Sequence, residues 1–558
     1  MDIISGINDG TEQDIVNCLA GEETDTDVDL VPDSGFVNGI NVYSLGWQEH
    51  VAIVRGIIGP NRILQHDCTL AKGGYRGWKN VNGIQIEAFG KGQDFSENFD
   101  LLAQWVQYAE VQPAFSYGYC REPTTTYGGV QPDNDWMFRK QFAAGLMVGM
   151  PHPYGSGENF GLFDWDEQRG GELDDYVWLG RALGPFERDF SGMGTTDLLA
   201  GGSWSVVTAA GFAATHSGSP SDPEGIEINV NQIPPLLQGD PVYSGVMLKW
   251  NSAALDLQRG AEYTLVFEAR ASDSITYNGK TYDGLPGLVR VRDFDGTIAR
   301  FNFLVPGGWR TYYMSYVVPE SGGNARFNGS FQLGEEAQRT FRLRNIRLYT
   351  GTADRLKREF ENGVVLLNES QVTPWTATLG SGQHRRLKGN IRPDINTGAT
   401  VTGSVNVPAR DAVYLLKPTY ANWAKERGLD MDSGTGAGMS DDPDGDGVPN
   451  LMEWVMAGHP LTPNTARPAA FHMENGVPVF QFERTLQSKE AVACHVEYTT
   501  DLRSTEPWAR IPVDGPSPPG VTITRVDLGD GTERIRVALA PGASDARLFV
   551  RLVAVAGP

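Results

Sequence analysis

The densest chemistry in the chain lies in twelve residues, DPDGDGVPNLME at 442–453. Asp442, Asp444 and Asp446 alternate at positions 1, 3 and 5, Gly447 stands at 6, Val448 offers its carbonyl at 7, Asn450 is at 9 and Glu453 at 12. Calcium takes about six to eight hard oxygens, and this spacing wraps such donors around one point. Glycine at 6 permits the sharp left-handed turn, and glutamate at 12 can bring both carboxylate oxygens. Structural calcium is expected here, bound at the weaker affinities of extracellular modules. A second alternating cluster, Asp25, Asp27, Asp29 and Asp33, has Leu30 where the glycine belongs. It leaves a second calcium and a plain acidic turn as alternatives.

Other carboxyl groups are placed for acid–base work. Cleaving a glycosidic bond needs two carboxyl groups flanking the sugar, one protonated and one ionised. Glu87 closes the run GIQIE, Asp67 closes RILQHD, and Asp164, Asp166 and Glu167 stand in FGLFDWDE beside Phe163 and Trp165. A carboxyl at the end of a parallel strand faces the C-terminal mouth of an α/β barrel. Glu87 is therefore the expected general acid, with Asp67, Asp166 or Glu167 as partner. Salt bridges and solvated loop charges are the competing explanation. His66 and His152 read as satisfied polar residues rather than metal ligands.

These groups must be held by the elements around them. In residues 1–190, Ile63-Leu64, Gly83–Ala88 and Ala143–Gly149 fit buried strands, and 47–59 and 95–111 carry apolar residues at helical spacing, with Ser96 as N-cap. Alternating strand and helix predicts a parallel α/β region of the barrel type. From 191 to 355 the texture changes to β-branched and aromatic runs such as YTLVFEARA and RTYYMSYVV, separated by Gly, Asp, Asn and Ser. An all-β jelly-roll sandwich is expected there. A further β segment follows at 356–417, a calcium-loop hinge at 418–465, and a C-terminal β-sandwich at 466–558.

Composition excludes several functions. Lys plus Arg is 46 against 69 Asp plus Glu, a net charge of −23 that repels phosphate backbones and anionic membrane surfaces, so nucleic acid is not an expected partner. No apolar run reaches the ~18 residues of a membrane span. Four cysteines, Cys18, Cys68, Cys120 and Cys494, form no CxxC pair and no disulfide framework. The first residues lack the basic and apolar regions of a signal peptide. The calcium loop nonetheless favours a secreted or cell-surface protein whose natural start lies outside this chain.

Several phrases keep a familiar order: GIIGPNRILQHD, VNGIQIEAFG, FDWDEQRGGELDDYVWLGRALGPFERD and, after a gap, REFENGVVLLNES with HRRLKGNIRPDINTGATVTGSVNVPARDAVYLL. Together, over about 250 residues in two pieces, they resemble the (β/α)8-barrel glycoside hydrolases grouped as hypothetical glycosyl hydrolase family fifteen. The resemblance implies a partial or complete barrel, interrupted by 191–355 and finished by 356–417. The inserted segment resembles carbohydrate-binding modules of families four and nine, through GAEYTLVFEARA, GGWRTYYMSYVVP and FRLRNIRLYTG. That likeness implies a sugar-binding sandwich, since exposed rings stack on sugar C–H groups. The candidates are Trp309, Trp204, Trp250, Tyr277, Tyr282 and Tyr312, with Trp165 in the barrel region. The loop at 442–453, followed by a short helix and GHPLTP, resembles the calcium hinges of dockerin and thrombospondin type three repeats.

Two functions follow from these residues. One is a secreted glycoside hydrolase acting on a polysaccharide or oligosaccharide through a carboxylate pair. The other is a non-catalytic carbohydrate-binding or surface-attachment protein with an inert barrel remnant. Carboxyl groups brought together at the ends of neighbouring parallel strands separate the two.

Overall fold

The computed structural model describes residues 10–13, 35–67, 77, 79–87, 95–108, 115–119, 136–149, 165–234, 243–253, 255–292, 300–321, 325–431, 434–539 and 547–557. Its N-terminal part is a four-stranded parallel sheet in the order Gly10–Gln13, Ile63–Asp67, Gly83–Glu87, Phe115–Tyr119. Three helices accompany it: α1 (Val42–Ile58), α2 (Phe95–Tyr108) and α3 (Trp136–Val148). Asn41 caps α1 by accepting the Ser44 amide at 3.0 Å, and Gly59 ends it at φ +81°. Arg55, in the last turn of α1, donates to the Gly59, Arg62 and Asn80 carbonyls and to Asn82 Oδ1, fixing the helix end against the strands.

The run at 143–149 is helical through Val148, the end of α3, and not the expected strand. A short apolar run does not distinguish strand from buried helix by period, and Ala143, Ala144, Leu146 and Met147 are good helix formers. Ser96 sits within the first turn of α2 rather than ahead of it. Its hydroxyl donates to Asp354 and accepts the Ser315 amide, joining α2 to two later sheets. Among the described residues the parallel strands number four and no closed barrel is present.

Residues 204–350 build two antiparallel five-stranded sheets packed face to face. One runs Arg310–Val317, Glu262–Ala271, Arg339–Thr350, Ile226–Gln232, Ala213–Ser217, and the other Arg300–Val305, Gly287–Arg292, Ser330–Gln332, Val246–Trp250, Trp204–Thr208. Alternation places Leu265, Phe267 and Ala269 inward and Val266, Glu268 and Arg270 outward, and the inner faces share one core with Phe303, Phe331 and Leu348. This is a β-sandwich on its own evidence.

The chain leaves for the sandwich and returns beside its point of departure. Glu187–Arg188 is the edge strand of a six-stranded antiparallel sheet; it pairs with Arg355–Glu359, and the sheet continues through Gly363–Asn368, Asp411–Leu416, Trp375–Arg386 and Thr400–Val407. Residues 356–417 thus form an antiparallel sheet rather than added barrel strands. Helix α3 is fastened to it by buried ions: Arg139 forks onto Asp411 at 2.9 and 2.8 Å, and Lys140 meets Glu369 at 3.0 Å. Beyond the short α4 (Asp166–Arg169), helices α5 (Tyr420–Glu426) and α6 (Asn450–Val455) flank the acidic loop. Tyr420, Trp423 and Trp454 share a core with Phe482, Val496 and Val537 of the C-terminal strands, so the hinge segment is packed into the last domain.

Candidate functional site

Register decides which residues share a face of the parallel sheet. Glu12 is opposite Gln65, Asp67 opposite Gln85, Gln85 opposite Tyr117, and Glu87 opposite Tyr119. Side chains alternate along a strand, so Glu12, Gln65, Asp67, Gln85, Glu87, Tyr117 and Tyr119 hold positions of one parity. Leu64 and Ile84 hold the other and are fully buried in the core with α1, α2 and α3. Parallel sheets usually carry apolar residues on both faces. The same parity also holds Ile63, Gly83 and Phe115 toward the strand starts, and carboxyls, amides and tyrosines toward their C-terminal ends. Strand spacing of about 4.8 Å and two residues of rise put the Asp67 and Glu87 Cα positions roughly 8 Å apart. The side chains of both residues lie outside the described residues.

Asp166 and Glu167 are elsewhere and are engaged by the chain itself. Asp166 opens α4, is 5% exposed, and accepts the backbone amides of Asn390, Ile391 and Arg392 at 2.9, 3.1 and 3.0 Å. Glu167 is buried, accepts Asn396 Nδ2 at 2.8 Å and stands 3.9 Å from Arg139. Burial pushes its carboxyl up to about 7, against the pull of Arg139 and Asn396. This pair anchors the 389–396 loop, and Trp165 ahead of it is buried. Asp164, Phe163, His152 and the cluster Asp25, Asp27, Asp29 and Asp33 lie outside the described residues, as does the His66 side chain.

The aromatic candidates separate by burial. Tyr312 is enclosed, stacks on Phe267 at 5.0 Å and donates its hydroxyl to the Leu304 carbonyl. Trp250, 6% exposed, packs edge-on to Trp204 at 5.3 Å, and Trp204 leans on Phe331. Trp250 and Tyr312 are core rings and offer no open face to a sugar; inward alternation along their strands accounts for them. Tyr277 and Tyr282 lie on the hairpin Ile275–Tyr277/Lys280–Tyr282, which packs with Ile40 and Leu45 near α1, where Tyr282 and Lys280 both bond Glu49. Trp309 is half-buried between two strands of the sandwich, with the Arg344 guanidinium 4.1 Å and that of Arg270 5.0 Å from its ring centre.

The acidic loop folds around its own carboxylates. Asp442 accepts the Gly445 and Gly447 amides, Asp446 accepts those of Val448 and Asn464, and Gly447 sits at φ +90°. One oxygen from each of Asp442, Asp444 and Asp446 lies within 4.8 Å of the others. Glu453, on α6, is 0% exposed, and both its carboxylate oxygens are buried without a hydrogen-bond partner, as is Asp444 Oδ2. Burial and the three aspartates push Glu453 up to about 7. Asn450 donates to the Gly436 and Gly438 carbonyls at 2.9 Å each, which fixes the start of α6.

Sequence reasoning missed Glu12, Gln85, Tyr117 and Tyr119. The alternation in FSYGY was the available signal for the fourth strand. Glu12 stands in a run of four residues with no apolar pattern.

No protein-family profile matches the chain, and neither does any curated protein. Solved structures align with parts of it. One described as CBM4 is 17% identical, covering 29% of this chain and 96% of that chain at a TM-score of 0.20. A variant of a family 29 carbohydrate binding module is 15% identical over 27% of this chain and 95% of that chain, TM-score 0.16. The enzymatically active domain of tailspike protein 4 of bacteriophage CBA120 is 15% identical over 28% of this chain and 20% of that chain, TM-score 0.18. Alignments at these scores define neither the fold nor the function of the chain, and the sandwich rests on its own two sheets.

Proposed function

We propose that the chain is a polysaccharide-acting glycoside hydrolase, exported or held at the cell surface, of the kind its phrases resemble. The observation that supports this reading is the register that sets Asp67 and Glu87, two residues apart, at the C-terminal ends of adjacent parallel strands. Two carboxyl-bearing positions, Asp67 and Glu87, occur there on adjacent strands among amides and tyrosines. Glu87, beside Tyr119, is the general acid, and Asp67 is the partner carboxylate. A Cα spacing of roughly 8 Å lets two carboxyl groups flank one glycosidic bond. Amides and hydroxyls of Gln65, Gln85, Tyr117 and Tyr119 supply donors and acceptors for sugar hydroxyls. The test is release of reducing ends from a panel of polysaccharides by the full chain. Glu87→Gln and Asp67→Asn are each expected to lower turnover at least about a hundredfold, the size of an acid–base contribution; unchanged turnover refutes the roles.

One second reading is sugar binding without turnover, since the described residues hold four parallel strands and no closed barrel. It is distinguished by retention on a polysaccharide gel with no reducing ends released.

Calcium belongs to the proposal as a structural ion. Asp442, Asp444, Asp446, the Val448 carbonyl, Asn450 and Glu453 are its proposed ligands. The support is chemical: three aspartates converge, and the enclosed Glu453 beside them has no proton donor to satisfy it. A divalent cation supplies that charge, and gathering the carboxylates without one is costly.

A further inference from the structure

A cavity of about 330 Å³ opens between α5, the 170–173 turn and the six-stranded sheet. Its volume lies at the lower end of small-ligand sites. Although the chain carries a net charge of −23, four cations line this cavity: Arg385, Lys388, Lys425 and Arg427. Three of them have carboxylate partners. Lys388 meets Glu172 at 2.9 Å, Arg385 meets Glu426, and Lys425 meets Asp175. Arg427 has no carboxylate partner among the described residues, and its charge opposes that of Arg385. Arg385 Nε is buried without an acceptor. The cavity therefore holds one uncompensated guanidinium and two carboxylates on its rim.

We propose that this cavity binds a carboxylated sugar unit. Planar guanidinium groups match a carboxylate in shape and hydrogen-bond geometry, and a carboxylate between Arg385 and Arg427 relieves their repulsion. Glu172 and Glu426 accept hydrogen bonds from sugar hydroxyls. The same two groups repel a doubly charged phosphate, so the mixed lining selects a polyhydroxylated monoanion. That the ligand is a sugar rests on the function proposed above. Its binding is measured here without turnover, so the two readings fail separately.

Calorimetry on the full chain in low salt tests this with sodium glucuronate, glucose and inorganic phosphate. Glucuronate is expected to bind at least about tenfold more tightly than glucose, the factor for one charge-assisted contact. Arg427 is exposed, so Arg427→Ala keeps the fold. It is expected to remove that preference and leave glucose unchanged, while Arg427→Lys retains part of it. Equal affinity for glucuronate and glucose, or a preference that survives Arg427→Ala, overturns the site. Phosphate binding as tight as glucuronate overturns the sugar assignment.

Discussion

Replacing Glu453 with glutamine is expected to change stability in opposite directions with and without calcium. In the calcium-free protein the Glu453 carboxyl is enclosed beside three aspartates and raised from 4.5 to about 7. The folded state holds this proton more tightly than the unfolded chain does. Stability from this group is therefore present at pH 4.5 and lost as pH rises to about 7. A shift of that size costs about 3 kcal/mol at pH 8. Glutamine carries no charge to desolvate, so in chelator at pH 8 Glu453→Gln is expected to melt several degrees above the native chain. Calcium at a thousand times its dissociation constant adds about 4.1 kcal/mol to the native protein, more than the roughly 3 kcal/mol that the ionised carboxyl costs. The variant, short of the ligand at position 12, gains far less and melts below the native chain. Differential scanning calorimetry of the full chain, in EDTA and then in excess calcium, reads both halves. A variant less stable than the native chain in both media refutes the reasoning, and so does a native transition that calcium leaves unmoved.

Lys140→Met removes the partner of buried Glu369, whose carboxyl burial already holds at about 7. A loss of roughly 3–5 kcal/mol is expected above pH 7 and less near pH 5, where the carboxyl is protonated, read as urea midpoints at the two values. Asp166→Ala frees three backbone amides of the 389–396 loop and is expected to cost about 1–3 kcal/mol while leaving turnover per folded molecule unchanged. Tyr312→Phe removes one buried hydrogen bond to Leu304, worth about 1 kcal/mol, with no change in sugar retention on affinity gels.

The sandwich was the most legible part of the sequence because alternation and fold agree there. Leu265, Phe267 and Ala269 on one face and Glu268 and Arg270 on the other follow directly from the letters. What alternation hides is which inward rings are core, so Trp250 and Tyr312 read as sugar platforms until their partners were in view. The convergence of Asp442, Asp444 and Asp446 was legible because their spacing is local. The Asp166–Asn396 contact, by contrast, joins residues 230 apart and leaves no local pattern. The run at 143–149 misled because seven apolar or small residues fit a strand and a helix equally well. The pairing of Asp67 with Gln85 and of Glu87 with Tyr119 is set by strand register, which no local pattern in the sequence displays.

Carboxyl footprinting tests the central claim most directly, because it asks whether a polysaccharide lies over Asp67 and Glu87 independently of turnover. The full chain is labelled with a carbodiimide and an amine, with and without saturating oligosaccharide from the polysaccharide it retains, and mapped by mass spectrometry. Labelling of Asp67 and Glu87 is expected to fall at least about fivefold on ligand addition, as for groups enclosed by a bound sugar, while Asp530, exposed on the C-terminal domain, is unaffected. Asp67 and Glu87 labelled equally with and without the sugar would contradict the account.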